Sequence, residues 1–332
     1  MKNFLNEKDI VFSRYNVDSF GRVFFIGDRV FRGVEKNKTD LCEKIFKSGL
    51  YKELFAKGLI IETTITDFEF SKFGLILEHK KIFPTQPIEW SFSMIKDAII
   101  NLLRINHICN NYGFQLKDGH LWNVAFLRNN PILIDFGSIS LYDENLSNSF
   151  KTELSIFLLS LFLWSKNEYY FSQKIFDNPV TFYKRTLPES SIWDSVVLKE
   201  YFREIFPDIN DEGKSVREFF LENLNEDFIK NIEKETKTFW ADYQNDFFDD
   251  QLLENKMNRF ARFEKIASLI EKFALDSSSV LDVAGNKGAF LRYLELKKMK
   301  EGKQFNSLIN IDYDEGAIDS AYVYYKACNS TV

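Results

Sequence analysis

Leu116-Lys117-Asp118-Gly119-His120-Leu121-Trp122-Asn123, followed shortly by Ile132-Leu133-Ile134-Asp135-Phe136-Gly137, is the stretch on which the fold reading turns. Asp118 and Asn123 stand five residues apart, and Asp135 lies twelve further on. Ahead of them runs a long helical pattern, about Phe92 to Asn111, which Ser91 is placed to cap and Gly113 to end. Between Asn123 and Asp135, Val124 to Leu127 and Ile132 to Ile134 read as a short hairpin around Arg128-Asn129-Asn130-Pro131. A loop after a long helix, then a hairpin ending in an acid, brings the three polar side chains to one place. Phosphoryl transfer asks for such a set: a carboxylate beside the attacking hydroxyl and two oxygen ligands for Mg²⁺. The same residues would serve equally as turn and strand-end caps in a fold without that chemistry.

Working outward, Arg22 to Ile26 and Arg29 to Val34 flank Gly27-Asp28, a two-residue connection suited to a tight hairpin. A helix is predicted from about Thr39 to Lys57, with Leu41, Ile45, Leu50 and Leu54 roughly on one face. Leu59 to Thr66 and Phe73 to Leu77 read as strands, Leu77-Glu78-His79 as a hinge, and Pro84 and Pro87 as breaks before the long helix. Glu43 is placed to offer a carboxylate from the first helix to the preceding strand. Residues from about 150 to 275 read as mainly helical. The apolar run Ser155 to Trp164 is far shorter than the ~20 residues of a membrane span and reads as a buried core helix.

A second constellation lies near the end: Val280-Leu281-Asp282-Val283-Ala284-Gly285-Asn286-Lys287-Gly288-Ala289-Phe290. A buried-type strand passes through small residues into a helix, Ala289 to about Lys298. Such a turn lets backbone approach a ligand closely and aims helix N–H groups at it. Leu308-Ile309-Asn310-Ile311-Asp312 then places an acid at the tip of a second strand, thirty residues after Asp282, before a helix from Glu315 to Lys326. An acid there suits ribose hydroxyls. The GxGxxG pattern of dehydrogenases is not met, and an ordinary α/β turn is the plain alternative.

The first stretch resembles the catalytic and metal-binding loops of the protein-kinase-like fold, in its small-molecule branch of aminoglycoside and choline phosphotransferases. That resemblance implies Asp118 as base or hydroxyl-orienting residue, and Asn123 and Asp135 as magnesium ligands. It also places Arg32 where the family carries its phosphate-pairing Lys. Departures are clear: no Gly-rich loop is evident, Leu116-Lys117 replaces the family's His-containing lead, and an Arg fork is no conservative replacement for Lys. The second stretch resembles the first motif of class I S-adenosylmethionine-dependent methyltransferases, with Ala284 and Asn286 at the first two Gly positions and Gly288 at the third. It implies Asp282, Gly285, Asn286, Gly288 and Asp312 as cofactor contacts. Taken together, and with Pro87 to Ala98 and Trp240-Ala241-Asp242-Tyr243, the chain resembles bacterial methyltransferase-related proteins with a kinase-like N-terminal region, nodulation-type members included. Asn286 matches the Asp-Leu-Gly-Ala-Asn-Thr-Gly form common in that group.

The fold class expected is an α+β, protein-kinase-like bilobal domain followed by a partial α/β, Rossmann-like methyltransferase unit. Its divisions are a kinase-like domain over 1–225 (small lobe about 10–80, large lobe about 88–225), a helical connector over 226–258, and an incomplete methyltransferase portion over 259–332. Only 20 residues follow Asp312, fewer than a doubly wound unit orders beyond that point, so a truncated second domain is expected. The 332 residues carry 43 Lys+Arg against 49 Asp+Glu, a net charge of −6, so no whole-chain basic footprint for nucleic acid exists. Cys42, Cys109 and Cys328 are widely spaced, which argues against a disulfide framework or structural zinc and fits a cytoplasmic protein; no secretory signal opens the chain. Cys109 is expected to be inert, His120 to support its loop, and Trp90, Trp122, Trp164, Trp193 and Trp240 to pack the core or the lobes.

The functional expectation is a methyltransferase-family protein using S-adenosylmethionine on a small-molecule substrate, weak or inactive as this chain. Two alternatives stand beside it. One is an ATP- and Mg²⁺-dependent phosphotransferase working through Asp118, Asn123 and Asp135. The other is a pseudokinase-type binding module, motivated by Arg32 and the missing Gly-rich loop.

Overall fold

Two short strands, β1 (Asn3–Phe4) and β2 (Val11–Phe12), precede the hairpin of β3 (Gly21–Ile26) and β4 (Arg29–Val34). Gly27 makes the reversal possible at φ +56°, a left-handed conformation that side chains resist. The register pairs Gly21 with Val34 and Ile26 with Arg29, as the two-residue turn requires. These coordinates are a computed structural model, which describes residues 3–13, 18–82, 85–127, 129–166, 172, 216–234, 261–273 and 278–332.

After β4 the predicted single helix is two: α1 (Thr39–Lys47) and α2 (Leu50–Ala56). Gly49 at φ +89° breaks the run between them, so Leu50 and Leu54 still reach the core while the axis changes direction. Strands β5 (Thr63–Ile65), β6 (Phe68–Glu69) and β7 (Leu75–His79) follow. Strands β2, β3, β4, β7 and β5 form, in that order, a five-stranded antiparallel sheet, while β1 pairs with β6 in parallel. The strand expected over Leu59–Thr66 is shorter because Leu59 to Ile61 turn to the next part of the chain, where Ile61 N–H donates to the Leu133 carbonyl at 2.9 Å. The residues read as a hinge lie inside β7, and His79 is buried there. One face of this sheet is filled by phenylalanines. Phe24 stacks on Phe31 at 5.5 Å, and Phe73 lies parallel to Phe24. A Cβ on Gly33 would overlap the Phe73 ring, so glycine is what lets the ring lie flat on the strand.

Val34 and Leu77 on the other face of the sheet belong to the main core, to which α3 (Phe92–Asn111) contributes Ile95, Ala98, Ile99, Leu102, Ile105 and Cys109 at three- and four-residue spacing. Ser91 caps it, accepting from the Met94 N–H, as expected. Then come β8 (Phe114–Leu116), the hairpin β9 (Val124–Leu127) with β10 (Asn130–Leu133), and β11 (Ile139–Leu141), which returns to pair with β8. Helix α4 (Glu144–Ser165) is buried on every side from Leu154 to Ser165, and the short α5 (Val216–Glu222) and α6 (Glu226–Lys230) pack nearby. Among the described residues no helix is long and apolar enough to cross a membrane.

The C-terminal portion is a βαβα unit with α7 (Ala261–Phe273) before it. Strand β12 (Ser279–Val283) leads through α8 (Ala289–Lys300) to β13 (Ser307–Ile311), which lies parallel to β12 with Asp282 opposite Asn310. Phe263, Ala267, Leu291, Leu294 and Leu308 fill its core. Because side chains alternate along a strand, Leu281, Val283 and Ile311 fall on the other face, where they are 56%, 66% and 45% exposed. Helix α9 (Glu315–Ala327) then docks on α3. Asp319 accepts from the Ser93 N–H and hydroxyl, Asp97 accepts from the Tyr322 hydroxyl and pairs with Lys326, and Glu315 accepts from Trp164 Nε1 and Lys234. Phe126 meets the Tyr322 ring edge-on at 5.8 Å.

The architecture is therefore α+β with an antiparallel five-stranded sheet and several helices. Of the 226–258 connector, residues 226–234 are described and the rest lies outside the described residues, as do Trp193, Trp240 and most of 167–215.

Candidate functional site

Two polar sites emerge at the places the sequence marks. The first gathers at the inner side of β4. Arg32, whose side chain is 8% exposed, donates from Nη2 to Asp135 Oδ1 at 2.7 Å and from Nη1 to Asp18 Oδ2. Asp135 is set where β10 gives way to a tight turn, and its Oδ1 also accepts the Gly137 N–H at 3.1 Å. Lys117, on the far side, reaches Asp18 at 3.4 Å and Asp118 at 3.8 Å. Three carboxylates and two cations thus share one network: Asp18, Asp118, Asp135, Arg32 and Lys117.

The backbone around these groups is fixed by paired polar contacts. Lys117 N–H donates to the Ser138 carbonyl, Leu116 N–H to Asn106 Oδ1, and Gly119 N–H to Glu153 Oε2. Asn123 belongs to the same loop, and its carbonyl accepts the Ile134 N–H at 2.8 Å. His120 caps the single turn Leu121–Asn123 by accepting the Trp122 N–H at Nδ1. Burial holds its imidazole at about 4, well below the usual value, so the ring is neutral and structural. Burial raises the Asp118 carboxyl above the ordinary range, Lys117 opposes that, and the charges of Asp135 and Asp18 add to it.

The sequence brought Asp118, Asn123, Asp135 and Arg32 to attention; the charged network links Asp135, Arg32 and, through Lys117, Asp118, while Asn123 is placed beside them by its backbone bond to Ile134. Asp18 was missed, and Gly137 was quoted only as the end of the Asp135-Phe136-Gly137 run. Asp18 carries only a faint signal, an Asx turn to the Phe20 N–H at 2.9 Å. Glu43 does not reach β4. It pairs instead with Lys47 on the exposed face of α1, four residues on, and Arg32 finds its carboxylates elsewhere. Among the described residues no group of three His, Cys, Asp or Glu side chains is arranged to hold a metal ion. Magnesium fits the pair Asn123 and Asp135 poorly, since a guanidinium already sits on the carboxylate that would have to face it.

The second site is the turn after β12. Ala284, Asn286 and Gly288 all have positive φ, at 60°, 50° and 72°. For Ala this conformation is strained, and the loop is held in it by the Ile311 carbonyl, which accepts both the Ala284 and Gly285 N–H groups. Asp312 Oδ2 accepts the Asn286 N–H at 2.7 Å, and Oδ1 accepts the Asp314 N–H at 2.8 Å. Asn310 Nδ2 donates to the Asn286 carbonyl at 2.7 Å, and Tyr325 donates its hydroxyl proton to the Lys287 carbonyl. A Cβ on Gly285 would overlap Asn310 Oδ1 and come within 2.7 Å of Asp282 Oδ2. Asp282 is raised by burial and by the neighbouring Asp312 charge. All five residues read as cofactor contacts, Asp282, Gly285, Asn286, Gly288 and Asp312, therefore stand together at the carboxyl ends of two parallel strands. Asn310 and Tyr325 are additions that strand and helix periodicity alone did not mark.

No family model matches the chain. It is 28% identical over 155 residues to "Nodulation protein NoeA" of Rhizobium meliloti (strain 1021), an alignment covering 45% of this chain and 32% of that protein. The matched part thus spans about a third of the relative's length.

Proposed function

We propose that this chain belongs to the S-adenosylmethionine-dependent methyltransferase-related proteins, with its C-terminal unit Rossmann-like and its N-terminal module kinase-like. The observation that carries the reading is the turn Ala284 to Gly288, whose left-handed residues are locked to the tip of β13 by Asp312. Parallel strands joined by a helix present ligands at their carboxyl ends, and a parallel order with an acid at the second tip suits a nucleoside. The weak likeness to a nodulation protein agrees with the group named by the motif.

The residues fit the cofactor's polar part. Asp312 uses one lone pair on each oxygen within the loop, and a carboxylate has about four, so it retains capacity for ribose hydroxyls. Asn310 Oδ1 is a buried acceptor with no hydrogen-bond partner among the described residues, and it lies against the Cβ-less face of Gly285. Gly285 lets the Asn310 and Asp282 side chains pack directly on the backbone of the turn. When bound, S-adenosylmethionine supplies an electrophilic methyl group. The chain's own contribution is to hold and orient the nucleoside end, with Asp282 and Asp312 excluding anionic competitors from the strand tips.

Isothermal titration of the whole chain with S-adenosylmethionine tests this. Binding is expected, and Asp312→Ala is expected to weaken it at least tenfold, the equivalent of ~1.4 kcal/mol. No binding heat, or an affinity unchanged in a variant with wild-type circular dichroism, overturns the assignment.

For the N-terminal module the reading favoured is a binding module rather than an ATP- and magnesium-dependent phosphotransferase. Arg32 is the observation that favours it, because both carboxylates it holds would have to be released before a metal-bound phosphate entered.

A further inference from the structure

We propose that Arg32 is the resident cation of the N-terminal site, an ionic clasp that ties the five-stranded sheet to the Ile134–Ser138 turn and takes the place of a divalent metal. This concerns a separate site from the proposed nucleoside loop and does not depend on it.

Geometry makes the case. Arg32 leaves β4 at the register position opposite Val23 and Leu77, in the middle of the sheet. Its side chain reaches out of that sheet with two nitrogens on two carboxylates from distant parts of the chain, Asp18 and Asp135. Each end of the planar guanidinium therefore does what one coordination bond of a metal would do, without demanding octahedral oxygens. Gly137 completes the clasp by absence. A Cβ there would overlap Asp18 Oδ2 and lie 2.6 Å from Arg32 Nη1, so only glycine lets the fork close over the turn. Lys117 occupies the other oxygen of Asp18 at 3.4 Å and extends the network to Asp118. Both cations that might have met a phosphate are thus already neutralised by carboxylates. The burial of Arg32 matters too, since a pair held out of water is not screened as a surface pair is.

A titratable neighbour sits beside the clasp. His79, on β7, is buried, and the positive charge of Arg32 adds to burial in keeping its ring neutral. His79 therefore adds no charge to the site, whose cations are Arg32 and, at its edge, Lys117.

The test uses the whole chain with Mn²⁺ as a paramagnetic probe, and with ATP alone and ATP plus Mg²⁺ in thermal-shift titrations. The unaltered protein is expected to bind no Mn²⁺ in the millimolar range and to gain no more from ATP plus Mg²⁺ than from ATP alone. Arg32→Met keeps the length of the stem and removes the charge. It is expected to lower the melting temperature and to gain Mn²⁺ binding that partly restores it, a gain that adding Asp135→Asn removes. Gly137→Ala breaks the clasp sterically and is expected to lower the melting temperature as Arg32→Met does. Mn²⁺ binding to the unaltered chain that Asp135→Asn abolishes overturns the proposal. So does an Arg32→Met protein with unchanged melting temperature. Should Arg32→Met fail to fold, the Mn²⁺ titration of the unaltered chain still decides.

Discussion

Replacing Asp97 with alanine should loosen the C-terminal unit from the N-terminal module without disturbing either core. Asp97 projects from α3 at its meeting with α9, where one of its oxygens accepts the Tyr322 hydroxyl at 2.5 Å and also pairs with Lys326. Tyr322 is 5% exposed, so its hydroxyl loses its partner with little water at hand. Hydrogen bonds to charged groups contribute about 1.5–3 kcal/mol each. The Lys326 pair is about a third exposed and adds little. A net loss of ~2 kcal/mol is expected, about 30-fold on the equilibrium between docked and undocked unit. The remaining contacts, Asp319 on Ser93 and Glu315 on Lys234, keep the docked form in the majority. Hydrogen exchange read by mass spectrometry separates this from general destabilisation. Amides of Glu315–Ala327 and of the first turns of α3 should exchange about 30-fold faster, while peptides from β3, β4 and β7 stay unchanged. Equal acceleration everywhere, or none in α9, would refute the view that Asp97 ties the two units together.

Two further outcomes rest on groups whose titration is shifted by partial or full burial. The His79 ring donates from Nδ1 to Thr63 Oγ1, whose own proton goes to the Ile61 carbonyl, and burial, with the Arg32 charge, depresses it to about 3. A group depressed on folding contributes stability that is whole above the unfolded value, ~6.5, and is lost as pH falls toward the folded one. Urea unfolding should therefore show about 2 kcal/mol lost to this residue between pH 6.5 and 5, and His79→Asn should flatten that slope; parallel profiles would sink the reasoning. Asp118 runs the other way, since burial raises it: its stability contribution is present below ~3.9 and lost as pH rises. Asp118→Asn should therefore raise the melting temperature at pH 7, a gain that shrinks at pH 4; a lower melting temperature at pH 7 would count against a strained carboxylate.

Much of this fold could be read from local pattern. Gly27-Asp28 fixed the hairpin, Ser91 and Gly113 bracketed α3, and the alternation of β12 and β13 with intervening helices gave the C-terminal unit its order. These signals are local, and local geometry decides them. The break at Gly49 was harder, because Leu41, Ile45, Leu50 and Leu54 continue one apolar face across it and only a left-handed φ separates the two helices. The cluster around Arg32 was half legible. Asp118, Asn123 and Asp135 announced themselves by spacing, whereas Asp18 and Gly137 matter only because β4 and the Ile134–Ser138 turn meet in space. Glu43 shows the limit most plainly. Placed well in sequence to meet a strand, it faces solvent because the amphipathic turn of α1 puts Leu41 and Ile45 inward. Long-range pairing of charges is a tertiary fact, and no single-chain periodicity encodes it.

The uncovered side of the β12–β13 pair bears on how this chain behaves in a tube. Leu281, Val283 and Ile311 form an apolar strip on a two-stranded sheet, and among the described residues no third strand pairs with either member. Such a strip is adhesive, since two copies can hide it from water by stacking or by pairing edges. Colloidal behaviour should therefore depend on protein concentration, and added salt should not keep copies apart, because it screens the repulsion of the net negative charge and leaves the apolar attraction intact. Dilution, a mild detergent, or a single charge placed at Val283 would keep copies apart, and light scattering before any binding measurement would show whether the material is a population of single chains.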